Sequence, residues 1–470
     1  MKSIFQSIKT FNWRLWLVIA ITLFVPSLYK TLRIYFLGDM PNEWGVNIAS
    51  QLSWVNLIYE ILEEGLILPM FFLLGKSFNS KEEIENKTRV GLIISGSMYA
   101  VLSALIFALA KPLCNLMASN SLTIKETVTY IRIESVASTI SILSKFIIVV
   151  FITMKKDKYM YILLTIQTSL FILFDTFLIS KLKVSANIGV NGIAISNIIV
   201  SLVLVIMAIV FLKLERIHIF TKKKLDFKWL KEYGKIGVFS SLESFVRNIA
   251  FIIMISRLVN VISEQGTYWI ANNFIWTWLL IPATALYDVI KKETAESKEN
   301  VSNKTLGYIV ISVMFSAIWF ISIPVWKPFI RYVLNSDAYQ NVYYIVLIQS
   351  AFYIVYIFNC ICDGTIYGRG KTSYMLIESV FTNGLYYVTM FILWKTGAWI
   401  PTLKGIALMF GIGMAIDLIP TIGCYLYLLK KENIKINFKN LQQTPQMPEA
   451  PENLQSPQNQ EPSQTDSIKV

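Results

Sequence analysis

Apolar segments long enough to cross a lipid bilayer recur along most of this chain. They run for about 18 to 27 residues, and a helix of about 20 residues spans the hydrocarbon core. Of all residues, 55% are hydrophobic and 16% charged, whereas about 25% of a soluble domain is charged. Alternating ten-residue strands, which would indicate a membrane β-barrel, are not seen. The pattern predicts an all-α polytopic membrane protein.

The apolar pattern contains about twelve spans, from 15–37 at the beginning to 403–429 at the end. Most Lys and Arg residues fall before span 1, after span 12 and in the connections that follow even-numbered spans. We therefore expect a multi-pass protein of the cell (plasma or inner) membrane with both termini in the cytoplasm. Span 1 is interpreted as a retained helix, because no small-residue cleavage site follows it.

Several kinds of chemistry lack their residues in this sequence. The four cysteines form no CxxC pair, and His218 is the single histidine, so neither a zinc site nor a Ser-His-Asp triad is predicted. No GxxxxGK[ST] phosphate loop occurs. The net charge of +13 lies in short connections between spans, which argues against nucleic-acid binding. We expect neither an enzyme nor a bound cofactor.

Short words in the first half of the chain return in the second half in the same order. "GLILP", ending at Pro69, is echoed by "WLLIP", ending at Pro282, and "SLYKTLR" from Ser27 by "SLESFVR" from Ser241. The first match is shifted by 213 residues and the second by 214, and two further matches are shifted by 213. Six spans in each half mean that both halves enter from one side. The repeat therefore predicts two six-helix bundles related by a pseudo-two-fold axis along the membrane normal, with a cavity between them.

These patterns divide the chain into four parts. We expect an amino-terminal six-helix lobe over 1–213, a basic linker over 214–235, a second six-helix lobe over 236–430 and a tail over 431–470. The linker is basic, with Phe227, Trp229, Leu230 and Tyr233 interleaved, which predicts an amphipathic helix on the cytoplasmic leaflet. The tail is rich in Pro, Gln, Glu and Ser and is predicted to be disordered.

Cations occupy the first span of each half. Lys30 and Arg33 lie three residues apart on one face of span 1, and the repeat aligns Arg33 with Arg247 of span 7. We interpret them, together with Glu243, as lining a hydrated, positively charged cavity. Two local arrangements stay open: Lys30 and Arg33 could reach the outer interface, and Arg247 could pair with Glu243.

Span 2 carries three carboxylates on one face, at Glu60, Glu63 and Glu64. Carboxylates in hydrocarbon need partners, and we expect Lys30 or Arg33 on the neighbouring span to provide them. One of the glutamates could instead take up and release a proton during transport.

Span 8 contains a group of aromatic and amide residues that includes Asn272, Asn273 and Trp276. They could line a pocket for an amphipathic substrate. The other interpretation is an interfacial aromatic belt combined with helix packing.

Three segments resemble the MATE family of multidrug and toxin exporters, within the larger group of oligosaccharide and lipid flippases. They are "GLILPMFFLLGKSFNSKEEIENKTRVGLII", "LFDTFLISKLKVSANIGVNGIAIS" and "IGVFSSLESFVRN", the second being the most specific. The resemblance covers approximately residues 15–430 and identifies the chain as a divergent member.

The resemblance implies an exporter of small amphipathic compounds, typically organic cations, in exchange for Na⁺ or H⁺. It places the coupling ion at Asp175 and Ser196, and a Na⁺ ion, if that is the coupling ion, near Asp175. The glutamates of span 2, Glu60, Glu63 and Glu64, are further candidates because of their own placement on one face. Arg33 and Arg247 stand where family members carry acids, which favours an anionic substrate. The alternative is a flippase for a lipid-linked saccharide whose pyrophosphate the arginines would hold. We expect a monomer in the bilayer.

Overall fold

A computed structural model describes residues 11–40, 44–77 and 80–436. All regular structure in this part of the chain is helical, and it forms twelve helices in sequence. Their bounds are α1 Trp13–Gly38, α2 Trp44–Ser50 continued by Leu52–Lys76, α3 Lys81–Leu116, α4 Ile124–Thr153, α5 Asp157–Leu178, α6 Val190–Leu214, α7 Leu230–Val261, α8 Gln265–Leu279 continued by Ile281–Glu296, α9 Lys298–Val333, α10 Tyr339–Gly368, α11 Thr372–Lys395 and α12 Leu403–Glu432.

Each predicted span corresponds to one of these helices. In the described residues, ten are long and apolar enough to cross a membrane, and α8 is an eleventh if its two parts, bent by 56°, form one span. The main part of α2 has 25 residues, long enough to cross, and differs from those ten helices by the three glutamates inside its apolar stretch. The expected twelve-helix architecture is confirmed.

The helices form two six-helix bundles, α1–α6 and α7–α12, with matching packing. Helix α1 packs against α5 of its own bundle and against α8 of the other bundle. Helix α7 packs in the same way against α11 and α2. The first helix of each bundle thus contributes to the seam between them, as the pseudo-two-fold repeat predicts.

One end of the structure is closed across the two bundles. We call it the outer end, because the distribution of Lys and Arg predicts that it is extracellular. There the side-chain amides of Gln51 and Asn260 donate to each other at 2.7 and 3.0 Å, and Asn335 Nδ2 donates to Asp39 Oδ1 at 2.8 Å. One hydrophobic core runs through this end and includes Leu37 of α1 and Leu258 of α7.

At the opposite, inner end, the described residues form cross-bundle hydrogen bonds only along two helix seams. Trp16 Nε1 of α1 donates to the Pro282 carbonyl of α8 at 3.0 Å, and Lys76 of α2 pairs with Glu232 of α7 at 2.5 Å. The inner ends of α4–α6 and α10–α12 share no such bond. The space between the bundles therefore opens toward the inner end.

Two glycines allow α2 and α7 to approach closely. A Cβ atom on Gly237 would meet the backbone carbonyl of Gly65, and a Cβ on Gly65 would meet the Ser241 hydroxyl. Small residues at helix interfaces let membrane helices gain van der Waals contact, because lipid provides no hydrophobic force that would drive them together. Gly65 and Gly237 thus hold the seam that carries the charged residues described below.

We expect Gly237→Ala to lower the free energy of unfolding by about 1–3 kcal/mol, because the added methyl group cannot fit without moving the helix backbones apart. Gly234→Ala, one turn earlier on α7, is the matched control, since a Cβ there meets nothing within 4 Å. Thermal unfolding of both variants in one detergent measures the difference. Equal melting temperatures would show that the seam tolerates a larger separation.

The linker differs from its sequence prediction. Helix α6 ends at Leu214 and α7 begins at Leu230, and the residues between them form turns and extended backbone rather than an amphipathic helix. Side chains of α3 satisfy the linker's backbone: Arg89 donates to the Thr221 and Lys223 carbonyls at 2.7 and 3.0 Å. Asn86 exchanges two 2.9 Å bonds with the Asp226 backbone. The prediction of a helix was wrong because these tertiary bonds replace helical ones.

The predicted tail lies almost entirely outside the described residues. Helix α12 ends at Glu432, and Asn433, in the left-handed region at φ 56°, caps it. Ile436 is the last described residue, so the disorder of the tail stays a prediction.

Candidate functional site

Lys30 is a cation on the inward-facing side of a membrane helix. The exposed apolar residues Ile21 and Leu28 mark the lipid-facing side of α1. At 100° per residue, Lys30 points about 160 to 180° away from them, yet it is also exposed. Lys30 therefore faces the open space between the bundles, about 12 Å from the outer end of α1 at Gly38. It forms no ion pair with any described residue.

Arg33 lies one turn further along and is held by Asp175 of α5. Its Nε donates to Asp175 Oδ2 at 2.8 Å and its Nη2 to Oδ1 at 3.1 Å, a two-pronged pair. The Asp175 side chain is only 1% exposed. The guanidinium also lies 4.9 Å from the centre of the Phe171 ring. The structure thus joins a predicted cavity cation directly to a predicted coupling carboxylate.

Arg247 of α7 joins the two bundles. Its Nη1 lies 3.1 Å from Glu60 Oε1 and its Nη2 lies 2.7 Å from Glu64 Oε1, both on α2, while its Nε lies 3.4 Å from Glu243 on its own helix. Ser379 of α11 donates to the same Glu243 oxygen at 3.0 Å. Three carboxylates around one guanidinium leave this cluster with a net negative charge.

Glu63, the third glutamate of α2, turns to a different partner. Lys145 Nζ of α4 lies 2.6 Å from Glu63 Oε2, and the Tyr99 hydroxyl of α3 donates to the same oxygen at 3.2 Å. The expectation that Lys30 or Arg33 neutralises the α2 glutamates was wrong. Helix α2 packs against α4 and α7, so cations on those helices reach the glutamates, whereas the guanidinium of Arg33 reaches α5.

Two further polar groups lie buried inside the first bundle. Ser196 of α6, a predicted coupling residue, is fully buried, and its hydroxyl has no hydrogen-bond partner in the described residues. Glu134 of α4 is also buried and accepts a 2.7 Å bond from Asn197 Nδ2. Glu134 has no cation within ion-pair distance in the described residues, so it is a further titratable group inside the first bundle.

The candidate residues of α8 do not form one pocket. Trp276 Nε1 donates to the Tyr353 hydroxyl at 3.0 Å, and Asn273 Nδ2 donates to the Trp269 carbonyl of its own helix at 2.9 Å. Asn272 instead borders a small cavity near the Gln51–Asn260 pair, and its buried Oδ1 has no hydrogen-bond partner in the described residues. Of the three, Asn272 retains an unused polar atom beside a cavity.

The second bundle contains three carboxylates of its own. Asn359 Nδ2 of α10 donates to Asp417 Oδ2 of α12 at 3.2 Å and to Asp363 Oδ2 at 3.4 Å, and Thr382 of α11 donates to Asp417 Oδ1 at 2.7 Å. Glu378 of α11 is 3% exposed, and its Oε1 has no hydrogen-bond partner in the described residues. We call Asp363, Glu378 and Asp417 the C-bundle acids.

No cation lies within 4 Å of any C-bundle acid among the residues that the structure describes. Thr382 begins a π-helical turn, Thr382–Tyr387, and such wider turns often redirect side chains at functional sites. In the described parts of the chain, no three His, Cys, Asp or Glu side chains are placed to hold a metal ion. Asp363 and Asp417 are thus connected through Asn359, no bond joins the Glu378 side chain to Asn359 or Thr382 in the described residues, and the three acids do not converge on one point.

Comparison with known proteins gives a clear answer for the fold. No protein-family model and no curated protein sequence matches the chain. A solved structure of a multidrug resistance MATE family transporter of the MOP superfamily, in an inward-facing conformation, superposes with a TM-score of 0.70. The match covers 89% of this chain and 98% of that chain at 16% identity. The chain has the MATE fold.

Two other solved structures with the MATE fold extend the comparison. An outward-facing MATE family transporter has a TM-score of 0.63 at 16% identity, covering 92% of this chain and 99% of that chain. A MOP superfamily transporter from Pyrococcus furiosus has a TM-score of 0.65 at 17% identity, covering 92% and 98%. The latter is described as having a binding pocket of reverse polarity that suggests a different function. All three matches span nearly the whole of each chain.

Proposed function

We propose that this chain is a secondary transporter of MATE type that exports a small amphipathic anion by alternating access, coupled to cation entry. Lys30 carries the proposal: it is an exposed cation that faces the space between the bundles and has no carboxylate partner among the described residues. An unpaired cation at that depth is costly unless water or an anion accompanies it. An anionic substrate group would supply that partner.

The other cations of the cavity contribute differently. Arg33 uses Nε and Nη2 for Asp175, and no bond of its Nη1 to a described residue is seen. Lys30 and this remaining nitrogen, one turn apart, suit a carboxylate, sulfonate or phosphate group. Arg247 is already surrounded by three carboxylates, so its part is to hold α2 against α7. The reverse-polarity pocket described for the Pyrococcus furiosus transporter agrees with an anion-binding variant of this fold.

Coupling requires a group that binds a cation in one conformation and releases it in the other. The sequence prediction placed this group at Asp175 and Ser196, with Glu60, Glu63 and Glu64 as further candidates. In the structure Asp175 and the three glutamates each hold an arginine or lysine, which an incoming ion would have to displace.

The C-bundle acids hold no such cation. Lone ionised carboxylates in a protein interior cost several kcal/mol each, so these three need protons or bound cations. Because they do not converge on one point, we propose H⁺ rather than Na⁺ as the coupling ion and place its site at Asp363, Glu378 and Asp417. Na⁺ binding near Asp175 is the competing proposal.

The proposed setting is the cell membrane, with both termini cytoplasmic and the protein acting as a monomer on xenobiotic or endogenous amphipathic compounds. A flippase that holds the pyrophosphate of a lipid-linked saccharide on the same cations is the alternative. Both functions use the same cavity, so the choice of ligand distinguishes them.

We expect purified protein to bind organic anions more tightly than cationic dyes, and Lys30→Gln to weaken anion binding by about 2 kcal/mol, which is about thirtyfold in Kd. Arg33→Gln should weaken anion binding by a similar amount and Arg247→Gln by less. Arg247→Lys should recover only part of the affinity lost in Arg247→Gln, because lysine restores the positive charge without the planar fork. Isothermal titration with a panel of anions, cationic dyes and a polyprenyl pyrophosphate measures each affinity.

Lys111→Gln is the matched control, since Lys111 is exposed near the outer end of α3 and away from the space between the bundles. Anion affinities that stay unchanged in Lys30→Gln and Arg33→Gln, with both variants folded, would contradict the anion site. Selective binding of the polyprenyl pyrophosphate would favour the flippase.

A further inference from the structure

The linker between the bundles has one face packed against the helices and one exposed face. In its extended part, Ile217 is buried and Ile219 and Thr221 are partly covered, whereas Phe220 and Lys222 between and after them are exposed. This alternation is what extended backbone produces, because successive side chains point to opposite sides. Phe220 is 86% exposed and Phe227 54% exposed, so both apolar rings lie at the surface of the described structure.

Three lysines of the linker have no carboxylate partner among the described residues. Lys222, Lys224 and Lys228 are exposed and form no ion pair with the described residues, whereas Lys223 pairs with Glu82 at 3.4 Å. The α3 acids have other partners: Glu83 accepts from the Ser77 hydroxyl at 2.6 Å and lies 3.7 Å from Lys87, and Glu85 accepts the His218 N–H at 3.2 Å. The exposed Asp226 carries a negative charge in the same stretch, and Lys224 and Lys228 border a groove that also includes α3 acids. With the Lys223–Glu82 pair counted as neutral, three lysines and one aspartate leave this stretch with a net charge of +2.

The linker lies at the level where α3 enters the hydrocarbon. Arg89, which holds the linker through two backbone carbonyls, is the last charged residue of α3 before Lys111. Beyond Arg89, α3 exposes apolar residues such as Ile93 and Val101. The carbonyls bound by Arg89 thus lie near the boundary between lipid headgroups and acyl chains.

We propose that Phe220, Lys222, Lys224, Phe227 and Lys228 form a docking surface for anionic phospholipids of the inner leaflet. The lysines suit the phosphate groups of the lipids, and the two phenylalanines suit the acyl-chain boundary beneath them. The α3 bonds described above pre-order this surface, so lipid binding does not have to fold it. The same segment leads directly into α7, so bound lipid anchors the joint between the bundles to the membrane.

The experiment compares lipid binding by full-length wild type and a Lys222→Gln/Lys224→Gln/Lys228→Gln variant. Native mass spectrometry of protein titrated with phosphatidylglycerol or phosphatidylcholine measures the affinity of the first bound lipids. We expect wild type to prefer phosphatidylglycerol and the triple variant to lose about tenfold or more in phosphatidylglycerol affinity, with no change for phosphatidylcholine. Phe220→Ser should weaken binding of both lipids, as an acyl-boundary anchor requires.

Lys111→Gln/Lys125→Gln/Lys404→Gln is the matched control, because it removes the same charge from the outer end. The proposal is overturned if wild type shows no preference for phosphatidylglycerol, or if the two triple variants lose the same affinity. One further result would also overturn the proposal: Lys222→Gln/Lys224→Gln/Lys228→Gln abolishes the preference for phosphatidylglycerol, but Phe220→Ser leaves the binding of both lipids unaffected. That pattern indicates a site for soluble anions or acidic peptides. Anion transport tested separately keeps this outcome distinct from that of the proposed function.

Discussion

Asp175→Asn is expected to lower the free energy of unfolding by about 3–5 kcal/mol, because it leaves the Arg33 guanidinium inside the bundle without its carboxylate. The Arg33 side chain is 16% exposed and that of Asp175 1%, so water can do little to replace the lost partner. The measurement is chemical or thermal unfolding of the variant in a single detergent or lipid system.

A second variant tests whether the loss of stability comes from the unpaired arginine or from the absence of the aspartate itself. In Arg33→Gln/Asp175→Asn both charges are gone, and we expect most of the stability to return. Glu63→Gln is the matched comparison: it also breaks an ion pair, but Lys145 is 50% exposed, and the expected cost is about 1 kcal/mol or less. If Asp175→Asn and Glu63→Gln destabilised the protein equally, burial would not be the property that distinguishes the two pairs.

The largest functional effect is expected at the C-bundle acids. Asp417→Asn and Glu378→Gln should abolish transport driven by a proton gradient while leaving anion binding near the wild-type affinity, because each removes a proton-binding group without touching Lys30 or Arg33. The measurement is substrate flux into proteoliposomes under an imposed pH gradient, normalised to folded protein.

Asp175→Asn tests the competing location in the same assay. If Na⁺ or H⁺ binds at Asp175, this variant should lose ion-driven flux and the C-bundle variants should keep it. Thr389→Val, on the exposed side of α11, is the control for a change on the same helix as Glu378. Flux that persists in both C-bundle variants would place coupling outside the second bundle.

The sequence alone determined the class of protein and its symmetry. Segment length decides whether a helix can cross the hydrocarbon, and that property is local, so twelve spans could be recognised without any tertiary information. The repeat at a shift of 213 residues then implied two bundles, because equal words in equal order indicate equal folds. Lys30 and Arg33 were also recognisable, since cations inside an apolar segment are conspicuous.

The pairing of charges depended on the tertiary structure. Spacing along a helix places Glu60 and Glu64 on one face, but it does not tell which helix that face meets. Packing brought Arg247 to Glu60 and Glu64 and left Asp175 for Arg33.

The C-bundle acids and the linker were decided by tertiary structure for the same reason. Asp363, Glu378 and Asp417 belong to three different helices, and only the packing of α10, α11 and α12 brings them into one bundle. There Asn359 bonds to Asp363 and Asp417, and Thr382 bonds to Asp417. The linker interleaves basic and aromatic residues, which suits an amphipathic helix, but Arg89 and Asn86 of α3 bind its backbone in a non-helical form. A local sequence pattern favours a helical backbone by about a kcal/mol per residue or less, and several tertiary hydrogen bonds together outweigh that preference.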